Sequence, residues 1–202
     1  MAAVRIGILG GTFDPVHMGH LVLAEQALEQ LVLQRVLWVV AGEPWRKSGQ
    51  AISPAGHRLA MVELAIEGRT EFKASTVEID RPGPSYTIET LEELHRRHAK
   101  CELMVILGLD ALLDLPNWRE PERIVQLAMV AAAARGDKRP SAAKLDRLLP
   151  GLAARTVWLD MPRLDISATD LRERARHGRS LRYLVPDAVA AYIAEHRLYQ
   201  GS

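Results

Sequence analysis

A parallel α/β sheet, doubly wound with helices on both faces, is the fold class this 202-residue sequence predicts. Three observations predict it. Short, almost wholly apolar runs recur along the chain, as strands buried on both faces require. Between them lie segments with apolar residues at helical spacing and charges on the opposite side. Each strand–helix–strand step is also long enough for a right-handed parallel crossover.

The elements follow in order. Residues 4–9 form the first apolar run, and Gly10-Gly11 stops it as a tight turn. Residues 21–33 repeat Leu21, Ala24, Leu28 and Leu31 at helical spacing, with Glu25 and Glu29 on another face. Residues 36–40 are apolar and β-branched, a second strand. The alternation then predicts helices over 58–66, 87–97 and 120–127, and strands over 72–79, 103–107, 129–133 and 156–159. Helices over 169–177 and 186–196 close the chain, so residues 1–202 read as a single domain with a helical C-terminal segment from about Ile166. The loops over 42–54 and 80–85 are rich in Gly and Pro, and loops at the carboxyl ends of parallel strands are where ligands bind.

Composition excludes several classes. Apolar residues make up 48% and charged residues 25%, enough to build a core and solvate a surface. The 26 basic and 25 acidic residues leave a net charge of +1, so no global field draws the chain to nucleic acid or membrane. Cys101 is the one cysteine, which excludes an internal disulfide and a multi-cysteine zinc site. The N-terminus lacks the basic and apolar regions of a signal peptide, and no apolar run reaches ~18 residues. The expectation is a cytoplasmic protein; self-association is left open.

Chemistry concentrates in Gly10-Gly11-Thr12-Phe13-Asp14-Pro15-Val16-His17-Met18-Gly19-His20. Glycines after a buried strand let backbone amides approach an anion, and the next helix adds its positive N-terminal end. Neither the G-x-G-x-x-G pattern nor the Gly-Lys-Ser/Thr ending of a P-loop is present. His17 and His20, three apart at the helix start, share one face beside those amides. Without a carboxylate or third ligand they do not make a zinc site, but they suit phosphate oxygens as hydrogen-bond donors. A plain pair of capping histidines is the competing reading. The second segment is Ile166-Ser167-Ala168-Thr169-Asp170-Leu171-Arg172. Hydroxyls, free amides and a guanidinium at a helix start form another phosphate cradle, or only a helix cap.

Together the two segments resemble the nucleotidyltransferase superfamily marked by His-x-Gly-His near the N-terminus and Ile-Ser-x-Thr-x-x-Arg near the C-terminus. Both stand intact as HMGH and ISATDLR. Within it the sequence is most similar to bacterial nicotinate-mononucleotide adenylyltransferases, through GGTFDPVHMGH, PSYTIETLEEL, LGLDALLDLPNW, ISATDLR and YLVPDAVAAYI. The resemblance implies a Rossmann-like fold and adenylyl transfer from ATP, with Mg²⁺, to nicotinate mononucleotide in NAD biosynthesis. It implies that His17, His20 and Arg172 are catalytic, on the ATP phosphates. Gly10, Gly11, Thr12 and Phe13 would floor the site, and Ser167 and Thr169 would meet the β- and γ-phosphates. Asp110, in the turn that begins at Gly108, would hold the adenosine ribose. Trp118 would stack on the nicotinate ring, and the backbone of Ser85, Tyr86 and Thr87 would bind its carboxylate. No acidic residue lies between Pro82 and Ile88 to repel that group. Asp110 has an N-cap as its rival reading, Trp118 a core position and Tyr86 a packing one. The loop after the second strand departs from the family, with Trp45 where a His is usual. Arg46 and Lys47 keep a basic pair there to meet the acceptor's phosphate.

An existing phosphate oxygen needs no deprotonation to attack, so such a site requires no general base or covalent nucleophile. No protein metal ligand is expected. Two alternatives remain: a phosphopantetheine adenylyltransferase, disfavoured by His17 and by the chain length, and a nucleotide-binding module of the same fold without turnover.

Overall fold

The structure, a computed structural model, describes residues 4–45, 51–134 and 139–200. Six strands form one parallel sheet: β1 (Val4–Gly11), β2 (Arg35–Val40), β3 (Phe72–Ser75), β4 (Cys101–Gly108), β5 (Ala128–Ala133) and β6 (Thr156–Leu159). Their order is β3-β2-β1-β4-β5-β6, so the chain winds outward from β1 and then from β4. The switch point lies between β1 and β4, where a crevice opens at the carboxyl ends of the strands.

The helices are α1 (Met18–Gln30), α2 (Ala55–Ile66), α3 (Thr87–Arg97), α4 (Leu109–Asp114), α5 (Pro121–Leu127), α6 (Ala142–Leu148), α7 (Ala168–Arg176) and α8 (Asp187–Glu195). Period-two alternation along the strands divides their side chains between two cores. Leu9, Val36, Trp38 and Ile106 face α1, α2, α7 and α8, whereas Ile8, Val39, Val105 and Leu107 face α3, α4, α5 and α6. Trp38 is wholly buried, and Phe13 and Phe72 pack on its indole at 5.5 and 5.6 Å between ring centroids.

Several boundaries differ from the sequence expectation, each for a local reason. The first strand does not stop at the glycines: Gly10 and Gly11 pair with Val39 and Val40, and the Ala41 amide donates to the Gly11 carbonyl (3.0 Å). The turn begins at Thr12. The third strand ends at Ser75, not Ile79, because its register with β2 runs out at Val39. A turn follows, closed by Asp80 N–H on the Thr76 carbonyl (2.8 Å) and by Thr76 Oγ1 on Asp80 Oδ2 (2.6 Å). Helices α4 and α6 were not expected; each is under two turns, too short for a periodic signal. The fourth helix starts directly on the strand, with Gly108 as its N-cap, so Asp110 lies in its first turn and is not the cap.

The loops above β2 and β3 touch closely. A β-carbon on Gly42 would stand 2.3 Å from the Glu78 carbonyl oxygen, a backbone atom that cannot swing aside. Gly42→Ala is therefore expected to destabilise by about 1–3 kcal/mol through overpacking, read as a lower melting temperature. A variant that melts with the wild type would show that this approach is not tight.

Candidate active site

The crevice above β1 and β4 is built by four helix starts, each of which leaves amides without intrahelical acceptors. At α1, His17 is the N-cap in extended conformation, and its own amide donates to His20 Nδ1 (3.2 Å). With Nδ1 accepting, a neutral His20 ring carries its hydrogen on Nε2, as a donor on the far side. The two imidazoles stack at 3.7 Å, and Phe13 meets His20 edge-on at 5.1 Å. Phe13 adopts φ +51°, uncommon for a residue with a β-carbon, while its buried ring holds the turn. Gly11 leaves room for that ring, since a β-carbon there would come within 2.9 Å of it.

The C-terminal motif arrives at the same place. Ser167 caps α7, its Oγ accepting from Asp170 N–H at 3.1 Å. One turn on, Arg172 Nη1 donates to the Asp14 carbonyl (2.8 Å), and Nη2 reaches Thr169 Oγ1 at 3.4 Å. Residues 158 apart in sequence are thus in direct contact, which joins the two predicted motifs into one site.

What locks the motifs was not foreseen. Asp14 is buried, and its Oδ1 accepts from the Tyr199 hydroxyl (2.7 Å) while Oδ2 accepts from Ser53 N–H (3.2 Å). Burial, with the Asp14 contact, pushes the Tyr199 phenol well above its ordinary value, so it stays a donor. Arg58, also buried, donates to the carbonyls of Ser53 (2.8 Å), Thr12 (3.0 Å), Ala41 (2.6 Å) and Gly42 (3.1 Å). Burial pulls its guanidinium below the ordinary value, and the nearby Asp14 and Tyr199 oppose that. A signal for Arg58 existed, because it stands on the helical stripe of Met61 and Val62 that is otherwise apolar. Nothing local marks Tyr199.

Beside the glycines lies a cavity of about 210 Å³, walled by Trp45 and Trp118 and bounded by Thr12, Glu78, Ser85 and Thr87. Trp118 is neither free surface nor core: it packs on the second core, lines this cavity, and donates from Nε1 to Asp114 (3.0 Å). Tyr86, the N-cap of α3, lies 5.9 Å from the Trp45 ring and under the Arg119 guanidinium (4.7 Å). Ser85 has a structural task. Its amide donates to the Glu43 carbonyl (2.9 Å), and its Oγ accepts from the amides of Gly42 (3.0 Å) and Glu43 (3.2 Å). The Ser85 amide is therefore spent, and the amides at the α3 start, Tyr86 and Thr87, are what the segment can present. The segment between Pro82 and Ile88 carries no acid, as expected, but the turn after β3 brings the buried side chain of Glu78 to the same cavity. Its signal was a lone acid between Val77 and Ile79 in what read as a buried strand. Gly108, Asp110, Ser167 and Thr169 are all exposed. Arg46 and Lys47 lie outside the described residues.

The family model described as cytidylyltransferase-like matches residues 8–174. The chain belongs to this family. A relative from Roseiflexus sp. (strain RS-1), named a probable nicotinate-nucleotide adenylyltransferase, is 49% identical, covering 99% of this chain and all of its own. One from Thermomicrobium roseum with the same name is 44% identical over 97% of this chain and 92% of its own. Among solved structures, Plasmodium falciparum nicotinic acid mononucleotide adenylyltransferase complexed with NaAD superposes with a TM-score of 0.79 over 97% of both chains. At 18% identity that likeness shows the fold, a Rossmann-like one. No helix among the described residues is long and apolar enough to cross a membrane.

Tyr199→Phe removes the hydroxyl that donates to Asp14 Oδ1 and leaves that oxygen buried. It is expected to cost about 1–3 kcal/mol of stability, measured by denaturant unfolding. Wild-type stability in the variant would mean that the C-terminal residue does not hold the loop.

Proposed function

We propose that this chain transfers the adenylyl group of ATP to nicotinate mononucleotide, giving nicotinate adenine dinucleotide and pyrophosphate. The observation that carries this is the contact of Arg172 with Asp14, which gathers His17, His20 and the α7 start around one anion-binding crevice. The aromatic-walled cavity next to it suits a flat ring, and the names of the full-length relatives agree.

The mechanism follows from charge. The acceptor's phosphate oxygen attacks the α-phosphorus in line, and the bond to the pyrophosphate oxygen breaks. The attacking oxygen is already anionic, so the protein's task is to align the two phosphates and neutralise charge on the bridging and leaving oxygens. His20 Nε2–H and His17 would serve the α- and β-phosphates, and Arg172, Ser167 and Thr169 the leaving pyrophosphate. Gly10, Gly11, Thr12 and Phe13 floor the cleft. Gly108 and Asp110, at the start of α4, would meet the adenosine. Trp118 would stack on the nicotinate ring, with the α3 amides of Tyr86 and Thr87 on its carboxylate and Ser85 bracing them. Arg46 and Lys47 would meet the acceptor's phosphate.

Magnesium fits this scheme as part of the substrate. Among the described residues no group of three or more His, Cys, Asp or Glu is placed to hold a metal, and both Asp14 carboxylate oxygens already accept hydrogen bonds. Mg²⁺ would arrive on the ATP phosphates, held by their oxygens and water, and would offset their charge.

The deciding experiment supplies ATP with each mononucleotide in turn and follows pyrophosphate release. Binding of nucleotide without release would instead favour a non-catalytic module. His20→Ala is expected to keep the fold and lose about 10²-fold or more in turnover, as loss of a transition-state donor does. A folded variant with unchanged turnover would make His20 a structural cap only. Nicotinate should be preferred over nicotinamide by at least ~10-fold in kcat/KM, since an amide leaves donors mismatched at about 1–3 kcal/mol. Trp118→Ala should raise the acceptor KM sharply; an unchanged KM would remove the indole from the site.

A further inference from the structure

Glu78 is the one ionisable side chain among the described residues that line the aromatic cavity. It is 8% exposed, at the turn that follows β3. From α3, Thr90 Oγ1 donates to its Oε1 at 2.6 Å. Ser85 lines the same cavity, its Oγ accepting the amide hydrogens of Gly42 and Glu43, and it favours the ionised form of the Glu78 carboxyl. Glu78 is thus tied to α3 through Thr90, and Ser85, Thr87 and Thr90 line the cavity beside it.

The surrounding charges do not neutralise it. Arg81 is the nearby cation, but its Nη2 donates to Thr90 Oγ1 (3.2 Å) and its Nε pairs with Glu89 (3.3 Å). Glu89 adds a second negative charge on the α3 side, itself shared with Arg119 at 2.9 Å. From the β2 side Glu78 meets backbone at Gly42, behind which the Arg58 guanidinium is committed to carbonyls. Burial is the largest influence and pushes the Glu78 carboxyl above its ordinary range. The hydrogen bonds from Thr90 and Ser85 and the charge of Arg81 oppose this, while Glu89 adds to it.

We propose that Glu78 is a specificity-determining residue for the acceptor's ring substituent, accepting a carboxylate only in its protonated form. The inference rests on the acceptor reading given above. A nicotinate carboxylate seated in the cavity shares a poorly solvated space with Glu78, and two like charges there disfavour each other. Binding the acid therefore takes up one proton from solvent onto a Glu78 oxygen, which can then donate. Binding the neutral carboxamide takes up none. The proton decides which ring is admitted.

The test is the ratio of kcat/KM for nicotinate mononucleotide to that for nicotinamide mononucleotide, measured with the full chain across the pH range around neutrality. Taking the ratio cancels the titration of the acceptor's phosphate and of the ATP site, which both reactions share. The ratio should fall as pH rises, approaching about tenfold per pH unit where one linked proton is lost. E78Q, which keeps the shape and hydrogen-bonding capacity without the titration, should show a flat ratio. A wild-type ratio that does not change with pH overturns the proposal without recourse to any variant. So does a slope that persists in E78Q. Pyrophosphate release with neither mononucleotide would overturn the acceptor reading and this inference together, whereas release with a flat wild-type ratio overturns this inference alone.

Discussion

The Arg58 guanidinium donates to four carbonyl oxygens, those of Thr12, Ala41, Gly42 and Ser53, from a position 2% exposed to solvent. These carbonyls belong to the turn after β1, the loop after β2 and the approach to α2. A buried charge is tolerated only where its hydrogen-bonding capacity is met, and breaking such a site costs about 3–5 kcal/mol. The geometry of the loops is therefore tied to one planar, five-donor fork, which a lysine could not replace. Asp14 supplies the opposite charge nearby and extends the lock to Tyr199 near the C-terminus.

On that frame the two sequence motifs become one surface. The Asp14 carbonyl, held in place by its neighbours, receives Arg172, so a guanidinium from α7 is aimed across the start of α1. The positive ends of α1 and α7 converge with it, and their partial charges favour an anion more strongly where solvent is excluded. The strain at Phe13 fits the same picture. A left-handed phenylalanine survives because Trp38 and His20 flank its ring, and the turn it makes leaves the strand's carboxyl end open.

The aromatic cavity is built differently, lined by hydroxyls and a carboxyl instead of guanidinium groups. Ser85 bridges the β2 loop to the start of α3, and Thr90 of α3 donates to Glu78. Polar groups this enclosed are informative because each must be satisfied, so their arrangement specifies which ligand atoms can enter.

The sequence by itself determined the strands, most of the helices and both motifs, because apolar periodicity and helix capping are local properties. The unbroken apolar run that holds Val36, Val39 and Val40 calls for a buried strand, and all three are buried; Ser167 caps a helix with a bond inside its own first turn. Local chemistry could also nominate His17 and His20 by residue type, whereas Trp118 is nominated only through the family resemblance. Only the tertiary structure decided that the first strand continues through its glycines, because the β2 register does so, and that the third ends at Ser75, where its register stops. It alone brought Arg58, Tyr199 and Glu78 to the site and spent the Ser85 amide on Glu43. Those roles depend on which loops the parallel crossovers lay side by side. That is a property of strand order, and no window along the chain contains it.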